Sequence, residues 1–332
     1  MGKKRRGVRL PEDEVAHKDA AIEWWYYNGF LEGRKKYAFM TCLFKVNKEK
    51  ANVSLLKFPG KTIYFSHSLL FNLDSGKVKK EILPFVLVDD ESVMRKELLI
   101  DYFYPLRRKF VEYETAELDK KFRIKTGFFD LLLKPKKKTI LENKTGFIDF
   151  GDKSMYYYSY TNMDAKGYVG AEKVKGKAWH DRQWSNFGFT RDFWTWFSIQ
   201  LPDNTEIVCF DYKGKRFATV SYPNGKQQNV KPKFKAIGKP WKSPRTGINY
   251  NLEWEIQVNK FKIRTKPLIN DCEMSFKIIN YWEGPIACRV NGKKARGFME
   301  YVAKPNEYSL KDALIHKFNF RGLEKKLKSL NL

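Results

Sequence analysis

Glu23-Trp24-Trp25-Tyr26-Tyr27-Asn28-Gly29 is the stretch whose reading decides the fold. Four consecutive rings carry too much apolar area for an ordinary surface strand. Side chains in a strand alternate faces, so Trp24 and Tyr26 point one way while Glu23, Trp25 and Tyr27 point the other. Both faces must therefore be covered, or one of them lines a cavity. Glu23 shares its face with two rings, an arrangement that holds an acid in an apolar, ring-walled pocket.

Working outward, strand signals dominate. Trp24–Leu31 runs into a Glu32-Gly33 turn and then an apolar strand from Tyr37 to Val46. In the second half, Phe193–Leu201, Glu206–Tyr212 and Arg216–Tyr222 are separated by Pro202-Asp203-Asn204 and Lys213-Gly214, an antiparallel meander with turn chemistry at each corner. Tyr250–Ile256 alternates apolar and polar residues, and Tyr168–Val174 also reads as a strand. A weak echo links the halves. Trp24 leads to Leu31, a turn and a strand holding Cys42, and Trp194 leads to Leu201, a turn and a strand holding Cys209, as expected of a duplicated β unit. Only the C-terminus reads as helical, with a capping pattern at Ser309–Asp312 and a Leu323/Leu327/Leu330 stripe beside Lys325, Lys326 and Lys328. Long meanders hide their edges best by closing. The expectation is all-β: two tandem antiparallel barrels of roughly eight strands each, residues 1–187 and 188–332, with a short C-terminal helical segment.

The chain has 332 residues, 42% of them hydrophobic and 16% aromatic, ample for packed cores. Sixty-four Lys and Arg against 38 Asp and Glu give a net charge of +26. Such a field attracts anionic surfaces, although a lysine-rich proteome would produce it too. No nucleic-acid-binding signature accompanies the charge, and the rings sit in motifs that read as buried, so nucleic acid is not the expected partner. Cys42, Cys209, Cys272 and Cys288 lack Cys-x-x-Cys spacing and the four His are dispersed, so no metal site is expected. Buried free thiols, and no apolar signal core within Val8–Ala20, lead to an expected cytoplasmic location.

Trp179-His180-Asp181-Arg182-Gln183-Trp184 is the second dense motif. Asp181 lies between rings and beside His180, where it could serve as a general acid, or could pin a barrel corner through Arg182. Tyr281-Trp282-Glu283-Gly284-Pro285 again couples rings to a carboxylate before a turn. Trp241-Lys242-Ser243-Pro244-Arg245-Thr246-Gly247 reads as a structured loop, with Arg245 tying down a carboxylate. No nucleophile elbow, phosphate loop or dinucleotide fingerprint is present, and no cofactor is expected.

At these motifs the chain resembles the hydroxyneurosporene synthase (carotenoid 1,2-hydratase) family. Ala16-His17-Lys18-Asp19 before Glu23-Trp24-Trp25-Tyr26, Tyr157-Tyr158-Ser159-Tyr160, Trp179-x-Asp181-x-x-Trp184, Trp241-x-Ser243-Pro244-x-Thr246-Gly247 and Tyr281-Trp282-Glu283-Gly284 stand in the family's order, from His17 to about Val302. The resemblance implies lipocalin-like barrels in tandem and, among relatives, hydratases and cyclising enzymes. His180 stands where the family commonly has Met, and Phe30-Leu31 where many members have His-Leu.

Together these readings lead to an enzyme that hydrates, isomerises or cyclises an apolar isoprenoid or polyene. Asp181 is the first choice of acid, Glu23 the second, and His180 adjoins the site. Trp24, Trp25, Tyr26, Tyr158, Trp179, Trp184, Trp282 and Glu283 would line the ligand pocket. The alternative is a non-catalytic carrier of a hydrophobic small molecule. Visits to an anionic membrane surface are expected through the basic clusters and the C-terminal stripe.

Overall fold

The computed structural model describes residues 6–51, 61–88, 98–103, 112–118, 120–151, 153–188, 192–276 and 279–304. The expected C-terminal helical segment, its leucine stripe and most of the basic N-terminal cluster lie outside the described residues.

The first sheet contains β1 (Ile22–Glu32), β2 (Lys36–Asn47), β3 (Thr62–Asn72), β4 (Lys77–Val88), β5 (Leu99–Phe103) and β6 (Glu112–Leu118). It continues with β7 (Lys121–Lys125), β8 (Phe129–Pro135), β9 (Ile140–Leu141), β10 (Phe147–Asp149), β11 (Ser154–Val169) and β12 (Glu172–Ser185). Its path runs β10-β11-β12-β1-β2 and on through β8, and β8 pairs back onto β11 to close a barrel. Closure leaves no free edge along that circuit.

The second sheet contains β13 (Trp194–Gln200), β14 (Glu206–Tyr212), β15 (Lys215–Ser221), β16 (Gln227–Val230), β17 (Lys233–Ile237), β20 (Glu253–Val258), β21 (Phe261–Pro267), β22 (Glu273–Phe276), β23 (Ile279–Val290) and β24 (Lys293–Val302). Between them, β18 (Trp241–Lys242) and β19 (Asn249–Tyr250) form a separate two-stranded ladder. The path of the second sheet is β16-β15-β14-β13-β24-β23-β21-β20-β17, a curled sheet with β16 and β17 at its ends. Among the described residues the two sheets have 12 and 10 strands, more than the roughly eight expected of each. The all-β architecture of two curled sheets in tandem is otherwise the one expected.

Turn chemistry places the hairpins. Lys213-Gly214 and Asn291-Gly292 take positive φ at both positions, the two-residue turn whose twist matches its flanking strands. Two expected strands are corrected. Tyr168–Val174 is not one strand but the end of β11, a Gly170-Ala171 tip with φ +58° at the glycine, and the start of β12. Tyr250–Ile256 is broken after β19, where the Asn251 carbonyl accepts from Trp254 Nε1 at 2.9 Å and Asn251 Nδ2 donates to Tyr301 OH at 3.2 Å. A polar side chain with local partners wins there over period-two patterning.

The echo between the halves has a topological counterpart. In each half the aromatic-first strand sits between the last strand of its sheet and the following hairpin strand: β1 between β12 and β2, β13 between β24 and β14. One hydrophobic core fills the first barrel around Trp25, Tyr27, Phe39 and Phe122. A larger one fills the second sheet and the space between the sheets, where Tyr26 and Phe30 of β1 meet Trp196 and Phe298.

Candidate active site

The alternation of β1 decides which motif residues can meet. Tyr26, Asn28 and Phe30 face the second sheet, and Trp25, Tyr27 and Leu31 face the first barrel's interior. Register carries the division across the sheet, because Tyr26 lies opposite Asp181 on β12 and opposite Cys42 on β2, which itself lies opposite His67 on β3. In the second sheet Trp196 of β13 lies opposite Glu300 of β24, which lies opposite Glu283 of β23. These two rows face one another, and three carboxyls with their donors occupy the gap.

Asp181 accepts from Trp179 Nε1 at 2.6 Å and from Tyr157 OH at 2.7 Å, and Tyr157 OH accepts from Trp196 Nε1 at 2.8 Å. Glu283 accepts from Tyr26 OH at 2.8 Å, and Tyr26 OH accepts from Asn28 Nδ2 at 3.1 Å. Glu300 accepts from Trp194 Nε1 at 2.7 Å and is hydrogen-bonded to Glu283, so the pair holds a proton between them. Nearby, His67 Nδ1 and Tyr281 OH are 2.5 Å apart. Among the described residues none of the three carboxyls has an ion-pair partner.

The electrostatics follow from that isolation. Burial pushes Asp181 up to about 7, against the opposing hydrogen bonds from Ser159, Tyr157 and Trp179. Burial and the charge of Asp181 push Glu300 to about 7, although Trp194 and Glu283 donate to it. Glu283 is likewise raised well above the usual carboxylate range, by burial and by its neighbour Glu300. Desolvation disfavours the anion and like charges add to the effect, so this cluster retains protons near neutral pH. A fourth carboxyl, Glu142, accepts from Thr219 at 2.6 Å and is pushed by burial to about 8.

Glu23 is in a different situation. It lies on the barrel-interior face of β1, where Arg182 Nη2 and Lys45 Nζ each donate to it at 2.6 Å and the His17 backbone N–H donates at 2.9 Å. Burial alone would raise its pKa, but Arg182, the His17 hydrogen bond and Lys45 outweigh burial and hold Glu23 down to about 2. Arg182 is buried over the Trp25 ring at 4.0 Å, and His17 stacks on Trp184 with centroids 4.1 Å apart. Tyr158 donates to Glu14 at 2.6 Å and Trp25 Nε1 to the Glu14 carbonyl at 3.0 Å. Glu23, Trp25, Tyr158 and Trp184 thus bind the N-terminal segment to the first barrel.

His180 stacks on Tyr27 at 4.0 Å and donates from Nδ1 to the Tyr26 carbonyl at 2.9 Å. Burial lowers its pKa to about 3, so it is neutral, and it faces away from Asp181. Trp282 donates to the Asn270 carbonyl at 2.6 Å, on the side of β23 opposite Glu283. Of the residues singled out by sequence, the structure therefore brings Asp181, Trp179, Tyr26 and Glu283 into one place. Half-buried Trp24 and Phe44 pack at the rim of the same core, as does half-buried Trp194.

Glu300, Trp194, Trp196, Tyr157, Asn28 and His67 were not among the expected site residues, although Asn28 and Tyr157 lie inside quoted motifs and Trp194 opens the internal echo. Glu300 carried a readable signal, as the lone carboxylate within Phe298-Met299-Glu300-Tyr301-Val302. The Trp241–Gly247 loop is a latch: Ser243 and Thr246 donate to Glu273 at 2.5 Å, Tyr250 donates to it at 2.8 Å, and Arg245 pairs with Asp271. No group of His, Cys, Asp and Glu among the described residues is arranged to hold a metal ion, and no described helix is long and apolar enough to cross a membrane.

Comparison with known proteins agrees with this architecture. A family model described as AttH-like matches residues 2–303. The chain is 26% identical over 191 residues to kievitone hydratase of Fusarium solani subsp. phaseoli, covering 51% of this chain and 55% of that protein. The match spans about half the length of that relative. Among solved structures, an AttH protein of Nitrosomonas europaea superposes with a TM-score of 0.71 at 22% identity, over 90% of this chain and 97% of that one. Kievitone hydratase of Nectria haematococca gives a TM-score of 0.66 at 16% identity, over 91% and 93% of the two chains. Both structural likenesses concern the fold.

Proposed function

The chain belongs to the AttH-like family, and on that premise we propose that it is a hydratase-type enzyme acting on a hydrophobic substrate with an isolated, isoprenoid-like alkene. The observation that carries this reading is the intersheet cluster of Asp181, Glu283 and Glu300, three buried carboxyls without a cation, two of them raised to about 7. Protonating an alkene near neutral pH needs a carboxyl that is still an acid there, whereas an unperturbed Asp has a pKa of about 4.

In this reading Asp181 gives its proton to the less substituted alkene carbon, leaving a tertiary cation on its neighbour. The faces of Trp179, Trp196 and Tyr26 surround that charge, each contributing ~2 kcal/mol when desolvated. Water adds to the cation, and an ionised carboxylate of the Glu283–Glu300 pair accepts the proton that water releases. That proton then passes back to Asp181, restoring the enzyme, and the sum is alkene plus water to tertiary alcohol. Glu23 and His180 take no part, one being ionised and salt-bridged and the other turned into the first barrel. Trp24, Phe44 and Trp194 would form the entrance. Support for hydration comes from the kievitone hydratase relationship, and the isoprenoid part rests on the motif resemblance.

The test is incubation of purified protein with prenylated aromatic and polyene alkenes in heavy-oxygen water. The expected result is label in a tertiary alcohol, with Asp181→Asn lowering turnover at least about a hundredfold and His180→Gln retaining it. Unlabelled substrate recovered together with a tightly copurifying lipid would instead identify a carrier.

A further inference from the structure

Leu132 and Tyr168, 41% and 50% exposed, lie diagonally opposite on adjacent strands, on the outer face of a wall whose inner face carries the buried Leu131, Leu133 and Val169. Register fixes their neighbours. Across β7, β8, β11 and β12 one outward row reads Arg123, Leu132, Lys166, Lys175, and the next reads Lys125, Asp130, Tyr168, Lys173. Lys134 follows Leu132 on the same face of β8. Lys134, Lys166, Lys173 and Lys175 are all exposed and carry no ion pair among the described residues. The carboxylates nearby have other cations: Asp130 and Glu114 share Arg123 at 2.9 and 3.4 Å, and Asp164 pairs with Lys177 at 2.7 Å and Lys136 at 3.6 Å.

We infer that this outer face of the first barrel docks on an anionic lipid bilayer, Leu132 and Tyr168 entering the headgroup layer within a ring of lysines. The chemistry is that of an interface on both counts. A tyrosine suits the boundary because its ring is apolar and its hydroxyl wet, and lysine stems bury their methylenes while the ammonium groups stay with the phosphates. Each lysine held near an anionic leaflet strengthens binding roughly fivefold, so four act together as a strong but reversible anchor. A nucleic acid would use the same charge but not the protruding leucine. The inference is independent of the chemistry at Asp181.

Co-sedimentation with phosphatidylcholine/phosphatidylserine vesicles, set against phosphatidylcholine alone, tests it on the full chain. The expected result is salt-sensitive binding to the anionic vesicles only. Changing Lys134, Lys166, Lys173 and Lys175 together to Glu should weaken it by at least roughly several hundredfold, about fivefold for each lysine lost. Leu132→Ser with Tyr168→Ser should weaken it several-fold without altering its salt dependence. Equivalent changes at the exposed Lys233, Lys235, Lys262 and Lys294 of the second sheet should leave most of it. A parallel set with Gln in place of Glu keeps a readout if the Glu set folds poorly. Equal loss from the second-sheet set, equal binding to neutral vesicles, no vesicle binding, or displacement of the vesicles by duplex DNA would each overturn the proposal.

Discussion

Asp181 and Glu300 occupy matching places in the two halves of the molecule. Asp181, on the last strand of the first sheet, lies opposite Tyr26, and Glu300, on the last strand of the second, lies opposite Trp196. Tyr26 and Trp196 are in turn the third residues of the echoed Trp24 and Trp194 segments, and their rings meet edge-on at 5.3 Å. Two residues further on, Asn28 donates to Ser198 at 3.3 Å. Equivalent positions thus touch across a local two-fold relation. Packing one β unit against its copy brings two acids to the same gap without a cation from either side.

That relation has a pH signature. Asp181 is raised from 3.8 to about 7 and Glu300 from 4.5 to about 7, so the folded state keeps protons that the unfolded chain releases. Their contribution to stability is full below about pH 4 and is lost as pH rises towards 7. Glu23, lowered from 4.5 to about 2, works the other way: its contribution is present above 4.5 and lost as pH falls towards 2. His67 and His180, lowered from 6.5 to about 3, favour the folded state increasingly as pH rises through that interval. The wild-type profile sums these terms, and a difference isolates one. Asp181→Asn should gain stability relative to wild type between pH 4 and 7, measured as melting temperature against pH. A constant difference would show that Asp181 is ionised throughout.

The opposite face of β1 gives a purely structural expectation. Arg182→Met leaves Glu23 buried with Lys45 and without its principal partner. Removing one member of a buried pair costs about 3–5 kcal/mol. Urea denaturation should show a loss of that size. A change below about 1 kcal/mol would mean that Lys45 alone compensates.

Close backbone approach makes two glycines sensitive. A Cβ at Gly297 would lie 2.0 Å from the Ser198 carbonyl oxygen, and one at Gly176 would lie 1.9 Å from that of Phe30. Neither obstacle is a flexible side chain, so strands must part. Gly297→Ala and Gly176→Ala should each cost about 3 kcal/mol, the upper part of the range for overpacking, whereas Gly225→Ala, with open space around it but φ +80°, should cost about 1 kcal/mol from backbone strain alone. Comparable midpoints for all three in denaturant would contradict the strand spacing described here.

The strands were legible because their signals are local: the dense rings and closing turn of Trp24–Leu31, the glycine turn at Lys213-Gly214 and the second aromatic-first hairpin all act within a few residues. The site was legible only in part. Asp181, Tyr26 and Glu283 stood out among rings, but sequence could not say which face of its sheet each one shared. Glu23 read as a pocket acid because its cations, Lys45 and Arg182, come from neighbouring strands and meet it only through register. Glu300 was passed over because its partner Glu283 is one strand away, and Trp196 because its contact with Tyr157 crosses between sheets. Long-range pairing, not local pattern, creates the acid cluster.

Infrared difference spectroscopy of the carboxyl groups tests the central claim most directly, by comparing wild type with Asp181→Asn across a pH titration. The account requires protonated-carboxyl intensity that persists through pH 6, with one component titrating near 7 that is lost in the variant while those of Glu283, Glu300 and Glu142 remain. A wild-type spectrum whose carboxyl bands have all converted to carboxylate by about pH 5, as unperturbed groups do, would contradict it.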